Sequence, residues 1–282
     1  MLSTAEALAR VLALMTPTGA EDVPLAEAAG RVLVEPVVAM RDQPPFAASA
    51  MDGYAVRAGD CAVGAVLSVI GEVPAGAAFS GEVGAGQAVR IFTGAPVPAG
   101  ADAILIQENA ARDGDVLVVD EAPAAGRFIR PAGLDFKAGD QMSAPRRLTP
   151  ADIALAAAMN APVLRVARKP VVHLIATGDE LVSPGGTPGP TQIISSNNYG
   201  VAAMLAAAGA EPVIQPIAPD RPEALVEALD RAADADLIVT LGGASVGDYD
   251  LVGQVFGAEG MDLSFYKVAM RPGKPMMAGR VR

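Results

Sequence analysis

A chain of 282 residues that is 51% hydrophobic is long enough to bury more than one core. Its formal net charge of -11 argues against nucleic acid or an anionic membrane surface as the main partner, and any anionic ligand must be met by local positive charge. The single cysteine, Cys61, excludes an intramolecular disulfide; with no signal peptide and no uninterrupted apolar run of spanning length, the expectation is a cytoplasmic protein without a membrane partner.

Aromatic residues make up 4% and Trp is absent, so core volume must come from Ala, Val, Leu, Ile and Met, as in helices packed on sheets. Ser3 and Glu6 have the capping-box spacing, and Leu8, Val11, Leu12 and Met15 follow at helical intervals. A second short helix is expected around Val23 to Ala29, stopped by Gly30; Val32 to Ala39 reads as extended, broken by Pro36. From Pro44 to about Asp140 the pattern changes to short β-prone runs (AVLSVIGEV, QAVRIFTG, AILIQEN, DVLVVDE) separated by Gly/Pro turns, the pattern of a small all-β module. Helix signals return with Thr149 as N-cap, Pro150 at the first helical position and Asp152 two residues further. A β domain inserted into an α-containing one therefore gives residues 1–43 and 141–168 as a discontinuous first domain, with 44–140 as the insert.

Residues 169–282 carry a third pattern. The apolar runs 171–176, 212–217, 236–241 and 263–268 alternate with helical stretches near Asn198 to Ala208, Pro222 to Ala232 and Leu251 to Ala258. Continuous apolar strands alternating with helices predict an α/β domain with a doubly wound, mostly parallel sheet. Ligands of such sheets sit beyond the carboxyl ends of the strands. The segments there are Thr177-Gly178-Asp179-Glu180, then Pro219-Asp220, then GGASVGDYD (242–250), then KVAMRPGKP (267–275) with Lys267, Arg271 and Lys274. Each has a plain structural alternative: Gly178-Asp179 as a turn, Asp220 as an N-cap, Gly242-Gly243 easing a strand-to-helix turn, the basic residues as a solvated edge. Four such loops at one rim point instead to a ligand. Glycine-rich backbone ahead of a helix, together with Lys and Arg, offers donors to an anion. Glu180, Asp220 and Asp250 repel anions, so their presence beside such a cradle calls for a cation, and Mg²⁺ shared with a phosphate fits.

In the insert, PPFAASAMDGYAV (44–56) places Ser49 and Asp52 around Met51, and Thr93-Gly94 stands at a strand end; Asp52-Gly53 is also a turn signal in its own right. His173, the sole histidine, lies in mid-strand and reads as a packed core residue, and Cys61 is assigned nothing.

Together SAMDGYAV (49–56), TGAPVPAGADAI (93–104), TGDEL (177–181), SSNNYGVAAML (195–205), GGASVGDYD (242–250) and KVAMRPGKP (267–275) resemble the molybdopterin molybdotransferase family, the MoeA and gephyrin E-domain group, in order and over nearly the whole chain. The resemblance implies Mg²⁺-dependent insertion of molybdate into adenylylated molybdopterin with release of AMP. It further implies a homodimer whose active cleft lies between subunits, with the upstream adenylyltransferase and molybdoenzyme acceptors as partners. By the same resemblance Asp52, Thr93, Glu180, Asp220 and Asp250 form the catalytic set, the last three on the metal side. Gly178, Ser196, Gly242, Gly243, Ser245, Gly247, Lys267, Arg271, Lys274 and Asp135 bind substrate. Asp248 rivals Asp250, and Arg271 stands where relatives often carry lysine, which keeps charge but changes donor geometry. Ala47-Ala48 replace a more polar pair. Family members continue past the equivalent of GKPMMAGRVR into a further loop, a helix and a small C-terminal β domain, so the sheet domain is expected to be incomplete here. A related pterin or nucleotide adenylyltransferase, a CinA-like enzyme, or a non-catalytic gephyrin-like scaffold are the alternatives; the insert bearing SAMDGYAV argues against the first two.

Overall fold

A computed structural model describes residues 1–242 and 251–281. The chain divides into two compact units: Met1–Asp22, Gly30–Val34 and Arg165–Arg282 form one, and Val23–Ala29 with Glu35–Leu164 form the other.

Helix α1 (Thr4–Leu14) starts at the expected capping box: the Ser3 hydroxyl accepts the Glu6 amide at 3.2 Å while the Glu6 carboxylate accepts the Ser3 amide at 2.9 Å. Its buried face is Ala7, packed with Phe265 and Val268, whereas Leu8 and Leu12 stay 60% and 61% exposed. The helix expected over Val23 to Ala29 is instead an extended run, Ala20–Pro24, and one 3-10 turn, Leu25–Glu27. Pro24 forbids an earlier start, and the few residues left before Gly30, at φ +77°, are fewer than a helix nucleus rewards.

The second unit is built on a six-stranded sheet. In chain order its strands are β1 (Gly53–Val56), β2 (Val66–Val73), β3 (Gln87–Ile91), β4 (Ala103–Ile106), β5 (Ala110–Asp113) and β6 (Val116–Val119). Their spatial order is β4-β1-β3-β2-β6-β5, with β2 and β3 parallel and the other neighbours antiparallel. Successive side chains point to opposite faces, and the two faces bury separate clusters: Tyr54, Val56, Leu105 and Leu117 on one, Ala55, Val89, Ile91 and Ile104 on the other. β1 is buried along its whole length. Its first residue must be glycine, because a Cβ on Gly53 would collide with the Leu105 carbonyl of β4. Helix α2 (Pro150–Ala158) is capped as expected, Asp152 Oδ2 accepting both the amide and the hydroxyl of Thr149 at 2.8 and 2.7 Å.

In the first unit β7 (Val171–Ala176) is the centre of a parallel three-stranded sheet, flanked by β8 (Glu211–Ile214) and β9 (Leu237–Leu241). Three helices complete the alternation: α3 (Asn197–Ala208), α4 (Pro222–Asp230) and α5 (Leu251–Ala258). Leu225 and Ala228 of α4 and Val252 and Phe256 of α5 pack with Ile175 on one face. Helix α3 packs on β7 and β8, and Val172 and Leu174 are buried on the face opposite Ile175. Gly209, left-handed at φ 100°, ends α3 as the sequence predicts. Because the chain goes from β7 out to β8 and returns past β7 to β9, the winding reverses between β7 and β9, the place where ligands of such sheets bind beyond the strand ends.

The fourth strand of the expected series does not join this sheet. β10 (Asp262–Tyr266) pairs antiparallel with β11 (Met277–Arg280). An apolar run identifies a strand but not its neighbour, and a ten-residue connector closed by the Lys267 amide on the Met276 carbonyl (2.9 Å) favours the local hairpin over a crossover. Among the described residues no helix is long and apolar enough to cross a membrane.

Candidate functional site at the sheet rim, with a second cluster in the β unit

Thr177, 2% exposed, is the first residue past β7. Its amide donates to the Leu241 carbonyl at 3.0 Å and the Gly178 amide to the Ala218 carbonyl at 3.2 Å, which ties the ends of β7 and β9 and the segment after β8 into one rim. Gly242, at φ +101°, presses so closely on the Thr177 carbonyl that a Cβ would collide with it. The Thr177 hydroxyl donates to Asp220 Oδ1 at 2.8 Å, and the Asp220 amide donates to Asp179 Oδ1 at 3.2 Å. Asp220 is therefore not the N-cap of α4; Arg221 holds that place and makes no side-chain cap bond. The Glu180 carboxylate folds back against Gly178, in the space a Cβ there would fill.

Ser196 precedes α3 with helical rather than extended backbone and gives the helix no side-chain cap. Next to it the buried Ser195 hydroxyl donates to Asn198 Oδ1 at 3.1 Å. Asn198 Oδ1 also accepts the Tyr199 amide at 3.1 Å, so this side chain, not Ser196, takes one of the first amides of α3.

Lys267, Arg271 and Lys274 all lie in the connector between β10 and β11. Val268 donates its amide to the Lys274 carbonyl at 3.1 Å, and the Lys267 ammonium sits 5.0 Å from the centre of the Tyr266 ring. Among the described residues no hydrogen bond joins this basic hairpin to the Thr177–Asp220 rim. Gly243, Ser245, Gly247, Asp248 and Asp250 lie outside the described residues.

In the β unit the structure joins two expected residues directly. Thr93, just past β3, donates both its amide and its hydroxyl to Asp52 Oδ1, each at 2.8 Å. These bonds, the amide first and the hydroxyl second, with a smaller contribution from the Arg90 charge, hold the Asp52 carboxyl below the usual carboxylate range. Asp135 is paired with Arg130, whose Nη2 lies 3.0 Å from both carboxylate oxygens. Thr177, Asn198, Arg90, Gln107 and Arg130 are polar partners at these clusters beyond the expected residues. Thr177 had a signal, the first polar residue after a buried strand; Asn198 and Arg130 act through partners three and five residues away, and Arg90 reaches its site through the β1–β3 pairing.

His173 is 5% exposed. Gln215 Nε2 donates to its Nδ1 at 2.9 Å, which assigns the ring proton to Nε2, 3.1 Å from Asp234 Oδ1 but without hydrogen-bond geometry. Burial pushes the Cys61 thiol up to about 11, so it is no nucleophile at neutral pH.

Residues 2–160 match the MoeA N-terminal region (domain I and II), and residues 173–282 match a probable molybdopterin binding domain. The chain belongs to the MoeA family. Relatives from this family include the molybdopterin molybdenumtransferase of Nostoc, 40% identical over 91% of this chain, and molybdopterin molybdenumtransferase 2 of Mycobacterium tuberculosis, 42% identical over 92%. The chain spans 60% of the length of the first and 67% of the second. A crystal structure of the MoeA protein of Pyrococcus horikoshii is similar over 99% of this chain and 72% of its own, with TM-score 0.85 and 31% identity. The two matched regions meet between residues 160 and 173, close to where β7 of the parallel sheet begins.

Proposed function

We propose that this chain acts in molybdenum cofactor synthesis by inserting molybdate into adenylylated molybdopterin, with release of AMP. The observation that carries the reading is the rim after β7 and β9, where the buried Thr177 hydroxyl holds the Asp220 carboxylate and the Asp220 amide holds Asp179. Both substrates are anions in a protein of net charge -11. The N-terminal end of α3 and the charges of Lys267, Arg271 and Lys274 would supply the local positive potential they need.

The donors at the rim suit Mg²⁺. They are carboxylates, and among the described residues no three His, Cys, Asp or Glu side chains form a closed cage. Magnesium is commonly held by one or two carboxylates plus substrate phosphate and water. Asp220 and Glu180, joined by Asp250, would hold it, and it would supply charge neutralisation and Lewis-acid activation at the phosphoanhydride. Thr177 keeps Asp220 in one orientation, so its second oxygen is presented rather than free to rotate. Asp52, fixed by Thr93 and ionised, would accept a hydrogen bond or proton from the pterin side of the substrate. The same reading places the protein in the cytoplasm as a homodimer with its cleft between subunits, receiving substrate from an adenylyltransferase and passing product to molybdoenzymes.

Equilibrium titration with adenylylated molybdopterin, followed by pterin fluorescence with and without Mg²⁺, tests the rim. Native chain should bind, with affinity raised by Mg²⁺, and Asp220→Asn should abolish the Mg²⁺ effect. Binding indifferent to both Mg²⁺ and the substitution would contradict the assignment.

A further inference from the structure

Arg90 lies directly opposite Tyr54 in the β1–β3 ladder. Its guanidinium sits 5.1 Å from the centre of the Tyr54 ring and 4.8 Å from that of Phe92. Nη1 donates to the Gly53 carbonyl at 3.1 Å, and Nη2 donates to Gln107 Oε1 at 2.8 Å. The Gln107 amide in turn donates to the Asp52 carbonyl at 3.2 Å, and Thr93, one residue beyond Phe92, takes the Asp52 carboxylate. One side chain therefore braces the residue after Asp52, the residue that holds the Asp52 main chain, and the aromatic neighbour of the residue that holds its carboxylate.

We propose that Arg90 is the positioning residue of the Asp52–Thr93 cluster, its stacked fork fixing the Asp52-Gly53 turn and with it the direction in which the Asp52 carboxylate faces substrate. The proposal rests on the reading of Asp52 and Thr93 as substrate-facing. Two features separate this role from simple charge. The fork meets two acceptors at once, one on β1 and one in the 3-10 turn Gln107–Asn109 after β4, and the ring contacts favour a flat cation; lysine, a point charge on a flexible stem, reproduces neither. The charge itself ranks below both Thr93 bonds in stabilising ionised Asp52. What Arg90 chiefly controls is thus the geometry that lets Thr93 make them.

The test compares native chain with Arg90→Lys and Gln107→Ala. The Asp52 carboxyl is titrated by carbon-13 NMR, the Thr93 amide is followed by nitrogen-15 NMR, and AMP release is measured alongside. Arg90→Lys keeps the charge, so a positioning role predicts that the Asp52 midpoint rises toward the ordinary carboxylate value and the Thr93 amide resonance moves. It also predicts that kcat falls at least about tenfold while KM changes by less than about twofold. Gln107→Ala, at an exposed residue, should give the same shifts in smaller measure and decides the matter should Arg90→Lys fail to fold. An Asp52 midpoint and a Thr93 resonance unmoved in both variants would overturn the proposal. The titration needs no turnover, so an inactive native chain would sink the transferase reading alone.

Discussion

At Asp220 two local rules compete. An aspartate shortly before a proline-led helix reads as an N-cap, yet the Thr177 hydroxyl, 43 residues earlier in the chain, holds it at 2.8 Å. Thr177 is buried at the end of the central strand, so Thr177→Val removes the bond without opening a cavity. It should cost about 1–3 kcal/mol in urea unfolding, because a carboxylate loses a fixed donor. Gly242→Ala meets both a left-handed φ and the Thr177 carbonyl, and should cost about 1–3 kcal/mol and displace the rim; a crystal structure of the variant with Thr177 and Asp220 unmoved would contradict this. Asp52, Asp152 and Asp236 all titrate below their ordinary value of 3.8, held respectively by the Thr93 amide, the Thr149 amide and the Arg168 side chain. A depressed folded-state pKa gives stability that is present above the unfolded value and lost as pH falls through the folded one. Stability should therefore be flat above about pH 5 and decline below about pH 4, which thermal unfolding across that range would check. At this scale the sequence showed which polar residues were unusual, but not which ones touch. Asp52 and Thr93 are both strand-end residues, and they meet because β1 and β3 pair antiparallel.

Elements were legible where a local signal is self-contained. The capping boxes of α1 and α2, the glycine after α3 and the apolar runs of β7 and β9 all sit where composition and spacing place them. Partnership was less legible than existence. β10 has the same apolar run as the parallel strands but closes on β11 instead, because pairing is decided by the connector and the available edge. Leu8 and Leu12 follow helical spacing yet remain exposed, since α1 buries its Ala7 face; periodicity gives an apolar stripe, not what covers it. α4 illustrates the converse. Leu225 is fully buried among α5 and β7 side chains, and Leu225→Ala should cost about 2–5 kcal/mol. A loss under about 1 kcal/mol in chemical denaturation would mean that α4 is not held by this core.

Across the whole molecule the proposed chemistry divides by sign. A chain of net charge -11 concentrates Lys267, Arg271 and Lys274 in the connector of one hairpin. Binding of an anionic pterin nucleotide to such an island in an acidic field should weaken as salt screens it. Membership of the MoeA family was legible from six short motifs in order, of which TGDEL holds Thr177 and Glu180 of the rim, while SAMDGYAV and TGAPVPAGADAI hold Asp52 and Thr93. How far 282 residues reproduce the activity assigned to the longer Nostoc relative is a question of turnover. AMP release from adenylylated molybdopterin in Mg²⁺, with and without molybdate, on the native chain and on Asp250→Ala, tests that claim most directly. Molybdate-dependent AMP release by the native chain and its loss in the variant are expected. AMP release by neither protein, or equal release by both, would contradict the claim.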